Sequence, residues 1–288
     1  LIDKLQIPRR IFQKIKQPGA LGGKLTKEVA GQAGVDRVPY ALVGSHDTAS
    51  AVVACPVADD AQNWAFCSAG TWCLMGIETQ KAAIADEYYE NNISNEGTVQ
   101  GGFRPIKNMV GLWILQECMK KWKAEGLNLD YDQLALLVKE EKPFRSLIDV
   151  DHKAFFEVGD MPMRIQQYCA DTKQSVPETP GQIARCVYES LALKYRWCLE
   201  WFDRIRGRRI ERIYITGGGS RSSILNQMTA DSTGRMVTAG PVEAACMGNL
   251  LTQAMALGEI HGIGELRQVV RNSSRVEQYE PRGNGSLW

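Results

Sequence analysis

The stretch ERIYITGGGSRSSILNQMTADSTGRMVTAGPVEAACMGNLLTQAMALG, residues 211–258, decides the fold. ERIYIT is a short β-branched and aromatic run that stops in three glycines, which predicts a strand ending at Gly217. RSSILNQMTADSTG then reads as a helix closed by Gly234, RMVTAGPV as a second strand, and EAACMGNLLTQAMALGEI as a helix rich in small residues. Strand, glycine loop, helix, strand, helix is an α/β unit with a right-handed crossover.

Upstream, NWAFCS and TWCLMGIE read as two strands joined in a hairpin at Ala69-Gly70, and GTVQGGFRPI as a third after a polar stretch. From Lys107 to Ala124 the period becomes helical, with Val110, Trp113, Ile114 and Cys118 on one stripe. Further helices are expected over 131–140 and from about Pro180 to Ile205, the latter with Ile183, Val187, Leu191, Tyr195 and Cys198 at helical spacing. The first 37 residues are broken by Pro and Gly, apart from a short helix with Thr26 as N-cap and Gly34 as stop. PYALVG reads as a buried strand running into Ser45-His46-Asp47, and the small residues from Thr48 to Ala54 suit a helix packed closely on its neighbours. The whole order is a three-stranded meander, helices, then βαβα.

A chain of 288 residues allows two domains, and 44% hydrophobic with 23% charged residues is a globular composition. A net charge of +1 argues against a nucleic-acid binder. No apolar run approaches the roughly 18 residues of a membrane helix, and no signal-peptide pattern opens the chain. The eight cysteines never occur as CxxC or near a histidine at metal spacing, so they read as buried small hydrophobes in a reducing cytoplasm. Cys169 and Cys186 fall in two helical stretches and could meet; a disulfide between them is left open.

Three motifs can carry chemistry. ITGGGS, 215–220, aims backbone N–H groups from a strand end towards an anion or a flat ring, or is an unliganded turn. Its spacing is neither that of the dinucleotide fingerprint nor that of the P-loop. CSAGTW, 67–72, offers a hydroxyl and an N–H to a phosphate, as a hairpin corner that need bind nothing. SHDTAS, 45–50, puts a carboxylate at a strand's carboxyl end, where open α/β sheets hold ligands. An ionised aspartate there can take a proton from a hydroxyl, and it would equally make a good helix cap. His46 alone reads as structural, and His152 and His261 carry no signal. The arginines at 204, 206, 208, 209 and 212 read as a solvated helix end, and the tryptophans as core.

Taken in order, SHDTASAV, SAGTWCLMG, IKNMVGLWILQE, GGGSRSSILNQMTADSTG and GPVEAACMGN make the whole chain resemble the FGGY carbohydrate kinases. Within them it is most similar to the branch that phosphorylates L-rhamnulose, although the L-fuculose branch also carries His-Asp-Thr and Ser-Gly-Thr-Trp. The resemblance implies an actin/hexokinase-like fold of two ribonuclease-H-like domains closing on ATP, Mg²⁺ and a sugar. It implies Asp47 as catalytic base and His46, Thr48 and Asn108 as sugar contacts. Thr71, Gln116 and Gly218 would be nucleotide contacts, with Gln116 two turns beyond Asn108 on one helix. It also implies that residues 1–55 are the tail of an N-terminal domain not otherwise present, and 56–288 the C-terminal nucleotide-binding domain. On that expectation the chain alone is inactive or nearly so, with an exposed inter-domain face that favours self-association. A catalytically dead nucleotide-binding or interaction domain of the same fold is the alternative; nucleic acid and membrane are not expected partners.

Overall fold

In the computed structural model of the chain, residues 1–58, 63–283 and 287–288 are described. The elements, in chain order, begin with β1 (Leu21–Lys24), α1 (Lys27–Ala33), β2 (Pro39–Ala41) and α2 (Asp47–Val53). There follow β3 (Trp64–Ala69), β4 (Trp72–Gly76), α3 (Asp86–Glu90), β5 (Ile93–Gly97) and β6 (Phe103–Val110). A helical stretch holds α4 (Trp113–Ala124), α5 (Tyr131–Glu140), α6 (Met161–Asp171) and α7 (Pro180–Arg206). The chain closes with β7 (Arg212–Thr216), α8 (Ser223–Thr233), β8 (Met236–Ala239), α9 (Ala244–Leu257), α10 (Ile263–Ser273) and β9 (Glu277–Tyr279).

Seven strands form one sheet in the order β5-β6-β4-β3-β7-β8-β9. β3, β4 and β6 make the antiparallel meander, and β7 and β8 extend it in parallel beside β3. That is the ribonuclease-H-like sheet of the actin/hexokinase-like class, as expected. The period-2 alternation of its strands explains the two cores. Cys67, Cys73, Met75, Ile213 and Ile215 point to one face, where Leu191 and Tyr195 of α7 and Leu225 of α8 cover them. Trp64, Phe66, Ile106 and Tyr214 point to the other, against Val52 and Cys55. Each such large side chain contributes roughly 1.5–3 kcal/mol by leaving water.

Helix boundaries follow local chemistry. The Thr26 hydroxyl accepts from the Val29 N–H at 3.2 Å, and Gly34 closes α1 in the left-handed region at φ 65°. Asp130 and Gln133 form a reciprocal capping box on α5, and Gly207 ends α7 at φ 73°. α2 and α9 cross so closely that a Cβ on Gly248 would lie 1.8 Å from the Ser50 carbonyl oxygen. Only glycine permits that approach. The crossing seats α2, and with it Asp47, against the rest of the molecule.

Several expectations need correction. PYALVG is not a buried strand: β2 has three residues, pairs only with β1 in a two-stranded ribbon apart from the main sheet, and leaves Tyr40 exposed. The polar stretch before GTVQGGFRPI is itself a strand, β5, an edge strand that buries only Ile93 and so shows no apolar alternation. β6 continues to Val110, and α4 starts only at Trp113, because the backbone of 106–110 is taken up by pairing with β4. Asn108 and Gln116 therefore stand on a strand and a helix, not on one helix. Trp72 is not core: it is 45% exposed and packs against Phe156 at a tilt of 37°, with ring centroids 6.2 Å apart. The arginine cluster is tied in more than a solvated helix end would be. Arg206 donates to the Glu78 carbonyl, Arg209 to the Gly234 carbonyl, and Arg204 stacks over Trp201.

All eight cysteines are free thiols, and Cys246 alone is exposed. Cys169 and Cys186 lie on α6 and α7 as buried, neighbouring free thiols and not as a disulfide. Burial pushes the Cys55 and Cys198 thiols up to about 12, so they stay protonated and behave as hydrophobes. Among the described residues, no helix is long and apolar enough to cross a membrane.

Candidate active site

The carboxyl ends of β3 and β7 leave the sheet side by side, and each must turn sharply. Gly217 takes φ +82°, and a Cβ there would lie 2.8 Å from the Ala69 carbonyl oxygen; one on Gly219 would lie 2.6 Å from the Ala69 Cβ. These two glycines are the price of close packing between the turns. Gly218, between them, has nothing within 4 Å of its notional Cβ and faces open space. The Gly70-Thr71 corner is pinned from the other side: Gly111 and Trp113 donate to the Thr71 carbonyl at 3.1 and 3.2 Å, and Leu112 donates to that of Gly70 at 3.0 Å. The corner is thus rigid, and Thr71 keeps its hydroxyl on the cavity side, 3.4 Å from Gln116 Oε1.

A cavity of about 510 Å³ lies between these turns and the start of α2. His46, Asp47, Thr48, Thr71, Asn108 and Gly218 all line it, although they come from four separate stretches of sequence. Gln116 does not line it and reaches it through Thr71. Asp47 is the first residue of α2, with His46 in the N-cap position. Its Oδ1 accepts from the Thr48 N–H at 2.6 Å, so it does satisfy one free donor of the helix end. Its side chain is nonetheless 80% exposed, a carboxylate presented to the cavity at the positive end of a helix dipole.

Two further residues of the cavity region escape sequence reasoning. Glu96 lines the cavity from β5 and, directly opposite it in register, Arg104 comes from β6. The Arg104 guanidinium is 2% exposed and donates to Glu96 Oε2. Burial lowers its pKa, while the adjoining Glu96 carboxylate opposes that shift. The same Oε2 is 3.0 Å from His46 Nδ1, and His46 Nε2 is 3.2 Å from Asp47 Oδ1. A second hollow of about 800 Å³, lined by Lys14, Lys16 and Tyr40, adjoins through the shared His46 and Glu96. The signal for Glu96 was hidden because it lies in a polar edge strand; the arginine in GGFRPI carries no periodic cue. Trp72, read as core, lines the cavity as well.

Among the described residues, no group of three or more His, Cys, Asp or Glu side chains is placed to hold a metal ion. The arrangement can do two things: hold anionic and hydroxylic groups against backbone turns, and accept a proton at Asp47.

Residues 65–257 match the model of the C-terminal domain of the FGGY family of carbohydrate kinases. The chain is 40% identical to rhamnulokinase from Bacteroides thetaiotaomicron over 282 residues, which is 98% of this chain and 57% of that protein. It is 38% identical to rhamnulokinase from Bacillus subtilis, over 98% of this chain and 57% of that one. The chain thus spans somewhat more than half the length of these relatives. Among solved structures, xylulose kinase from Rhodospirillum rubrum superposes with a TM-score of 0.73 at 19% identity, covering 99% of this chain and 56% of that one. Glycerol kinase from Plasmodium falciparum, solved with ADP, does so with a TM-score of 0.69 at 12% identity, covering 98% and 54%. A family match over most of its length places this chain in the FGGY family of carbohydrate kinases.

Proposed function

We propose that the chain carries the catalytic base and the nucleotide side of an ATP-dependent ketose kinase, which converts L-rhamnulose to L-rhamnulose 1-phosphate. The observation that carries this is the convergence of six motif residues from distant stretches on one cavity, with the Asp47 carboxylate exposed in it. The identity to two rhamnulokinases favours L-rhamnulose over L-fuculose. Residues 1–55 belong with a sugar-binding domain and 56–288 form the nucleotide-binding one, in keeping with the separate two-stranded sheet of β1 and β2.

Phosphoryl transfer asks the protein for position, charge stabilisation and a base. Asn108, His46 and Thr48 hold the sugar with its primary hydroxyl at Asp47. That hydroxyl attacks the γ-phosphorus of MgATP while Asp47 takes its proton. The Thr71 hydroxyl meets a phosphate oxygen, Gln116 steadies Thr71 and contacts the nucleotide, and the bare backbone at Gly218 lies against the adenosine. Mg²⁺ arrives with the triphosphate; the described residues form no cage for it.

The glycines separate site from scaffold. Gly218→Ala leaves the melting temperature within about 2 °C, as a substitution into open space does, and weakens ATP binding. Gly219→Ala, which drives a methyl into Ala69, destabilises by about 1–3 kcal/mol. Thermal melts with and without ATP read both. The activity itself is tested on the full-length product of the gene that encodes this chain, supplied with MgATP and either L-rhamnulose or L-fuculose. ADP and L-rhamnulose 1-phosphate are expected in equal amounts. No ketose-dependent ADP formation would overturn the proposal.

A further inference from the structure

Glu96 stands where the two hollows meet, lining the site cavity with Asn108 and the larger hollow with Tyr40. Its two oxygens have different surroundings. Oε2 accepts from the Arg104 guanidinium and lies 3.0 Å from His46 Nδ1. Arg104 is buried and can only donate, and among the described residues its Nε and Nη1 have no partner. Its bond to Glu96 comes from Nη2, so Oε2 cannot turn away without leaving a buried guanidinium wholly unpaired. Among the described residues nothing bonds Oε1, and the side chain is 32% exposed. A firmly held carboxyl group thus keeps one oxygen open to a ligand. Its place along the site decides what that ligand atom is. Asp47 Oδ1 lies 3.2 Å from His46 Nε2, so at most two hydrogen bonds and the width of one imidazole ring separate the Asp47 and Glu96 carboxyl groups. A ketose whose C1 hydroxyl meets Asp47 covers that span with its next three carbons and presents its C4 hydroxyl at the far end. C4 is also the carbon at which L-rhamnulose and L-fuculose differ, as epimers.

We propose, resting on the kinase reading above, that Glu96 Oε1 forms a hydrogen bond with the C4 hydroxyl of L-rhamnulose and so selects this ketose over its C4 epimer. Arg104 is the residue that positions Glu96 for this. A hydroxyl both donates and accepts, so the contact forms in either protonation state of the carboxyl group. In L-fuculose the same hydroxyl points to the opposite side of the carbon chain and leaves Oε1 without a partner. A site built to bond a hydroxyl rejects the sugar that fails to supply it there. The carbons beyond C4 have room in the hollow of about 800 Å³ that opens past Glu96.

Calorimetric titration of the full-length protein with L-rhamnulose, 4-deoxy-L-rhamnulose and ADP tests it. The wild type is expected to bind the 4-deoxy sugar roughly 10-fold more weakly than L-rhamnulose, the usual worth of one hydrogen bond. The double variant Glu96→Met/Arg104→Met replaces the pair by apolar chains and leaves no buried guanidinium unpaired. It is expected to lose the same factor on L-rhamnulose, and to bind the 4-deoxy sugar and ADP as the wild type does. A merely structural role moves both sugars together or neither, because the one difference between them is the hydroxyl. Should the variant not fold, a crystal of the wild type with L-rhamnulose reads the contact directly, as Oε1 within or beyond about 2.5–3.0 Å of the C4 oxygen. An unchanged affinity of the variant for L-rhamnulose, or an equal loss on both sugars, overturns the contact and leaves the kinase reading standing. A wild type that binds no L-rhamnulose overturns that reading and the contact with it.

Discussion

Asp47→Asn is expected to lower kcat of the full-length protein by roughly 10²- to 10⁴-fold, the usual worth of a positioned general base. ATP affinity should stay close to that of the wild type, because the proposed nucleotide contacts Thr71, Gln116 and Gly218 remain in place. The substitution is a clean one. Asp47 is 80% exposed, so no buried partner is orphaned. Removing its charge from the first turn of α2 costs about 0.3–1 kcal/mol, too little to unfold the domain. The asparagine side-chain oxygen can still accept from the Thr48 N–H, so the helix end stays satisfied. Turnover and nucleotide titration on the same preparation separate the two roles this residue can have. A helix cap predicts a small loss of stability with turnover unchanged; a base predicts the reverse.

Gly248→Val is expected to have the largest effect on stability. The valine Cβ would have to occupy a point 1.8 Å from a backbone oxygen, that of Ser50, and also 2.9 Å from Val53 Cγ1. Backbone atoms cannot step aside as a flexible side chain can, so α2 and α9 must part. Overpacking of this kind costs about 1–3 kcal/mol or more, and at this chain length each kilocalorie lowers the melting temperature by about 2–4 °C. Since α2 carries Asp47 at its first residue, turnover should fall with stability. Gly31→Ala is the control of opposite sign. Gly31 lies inside α1 with nothing within 4 Å, and alanine there should stabilise by about 0.5–1 kcal/mol. Differential scanning calorimetry of both variants decides; equal melting temperatures would contradict the packing argument.

The strands with alternating or continuous apolar character were legible in the sequence, and so was βαβα, since Gly217 follows the end of β7 and Gly234 closes α8 as expected. What misled was local pattern overridden by pairing. The run from Lys107 to Val110 reads as the start of the helix that carries Trp113 and Cys118, yet β4 claims its backbone. β5 could not be read because an edge strand with one buried residue has no period to show. The site was legible in another way. Each motif alone has an ordinary explanation as a turn or a cap, and the order of all of them along the chain identifies the family. The cross-strand pair Glu96–Arg104 stayed hidden for a physical reason: its meaning depends on register across a hairpin, and register is a property of the sheet.

The most direct test is a crystal structure of the full-length protein with ADP and L-rhamnulose, read at one distance. The account predicts the Asp47 carboxylate within hydrogen-bond reach, about 2.6–3.2 Å, of the sugar's primary hydroxyl, with the adenosine against Gly218. A sugar bound beyond the reach of Asp47, with another group beside that hydroxyl, would contradict it.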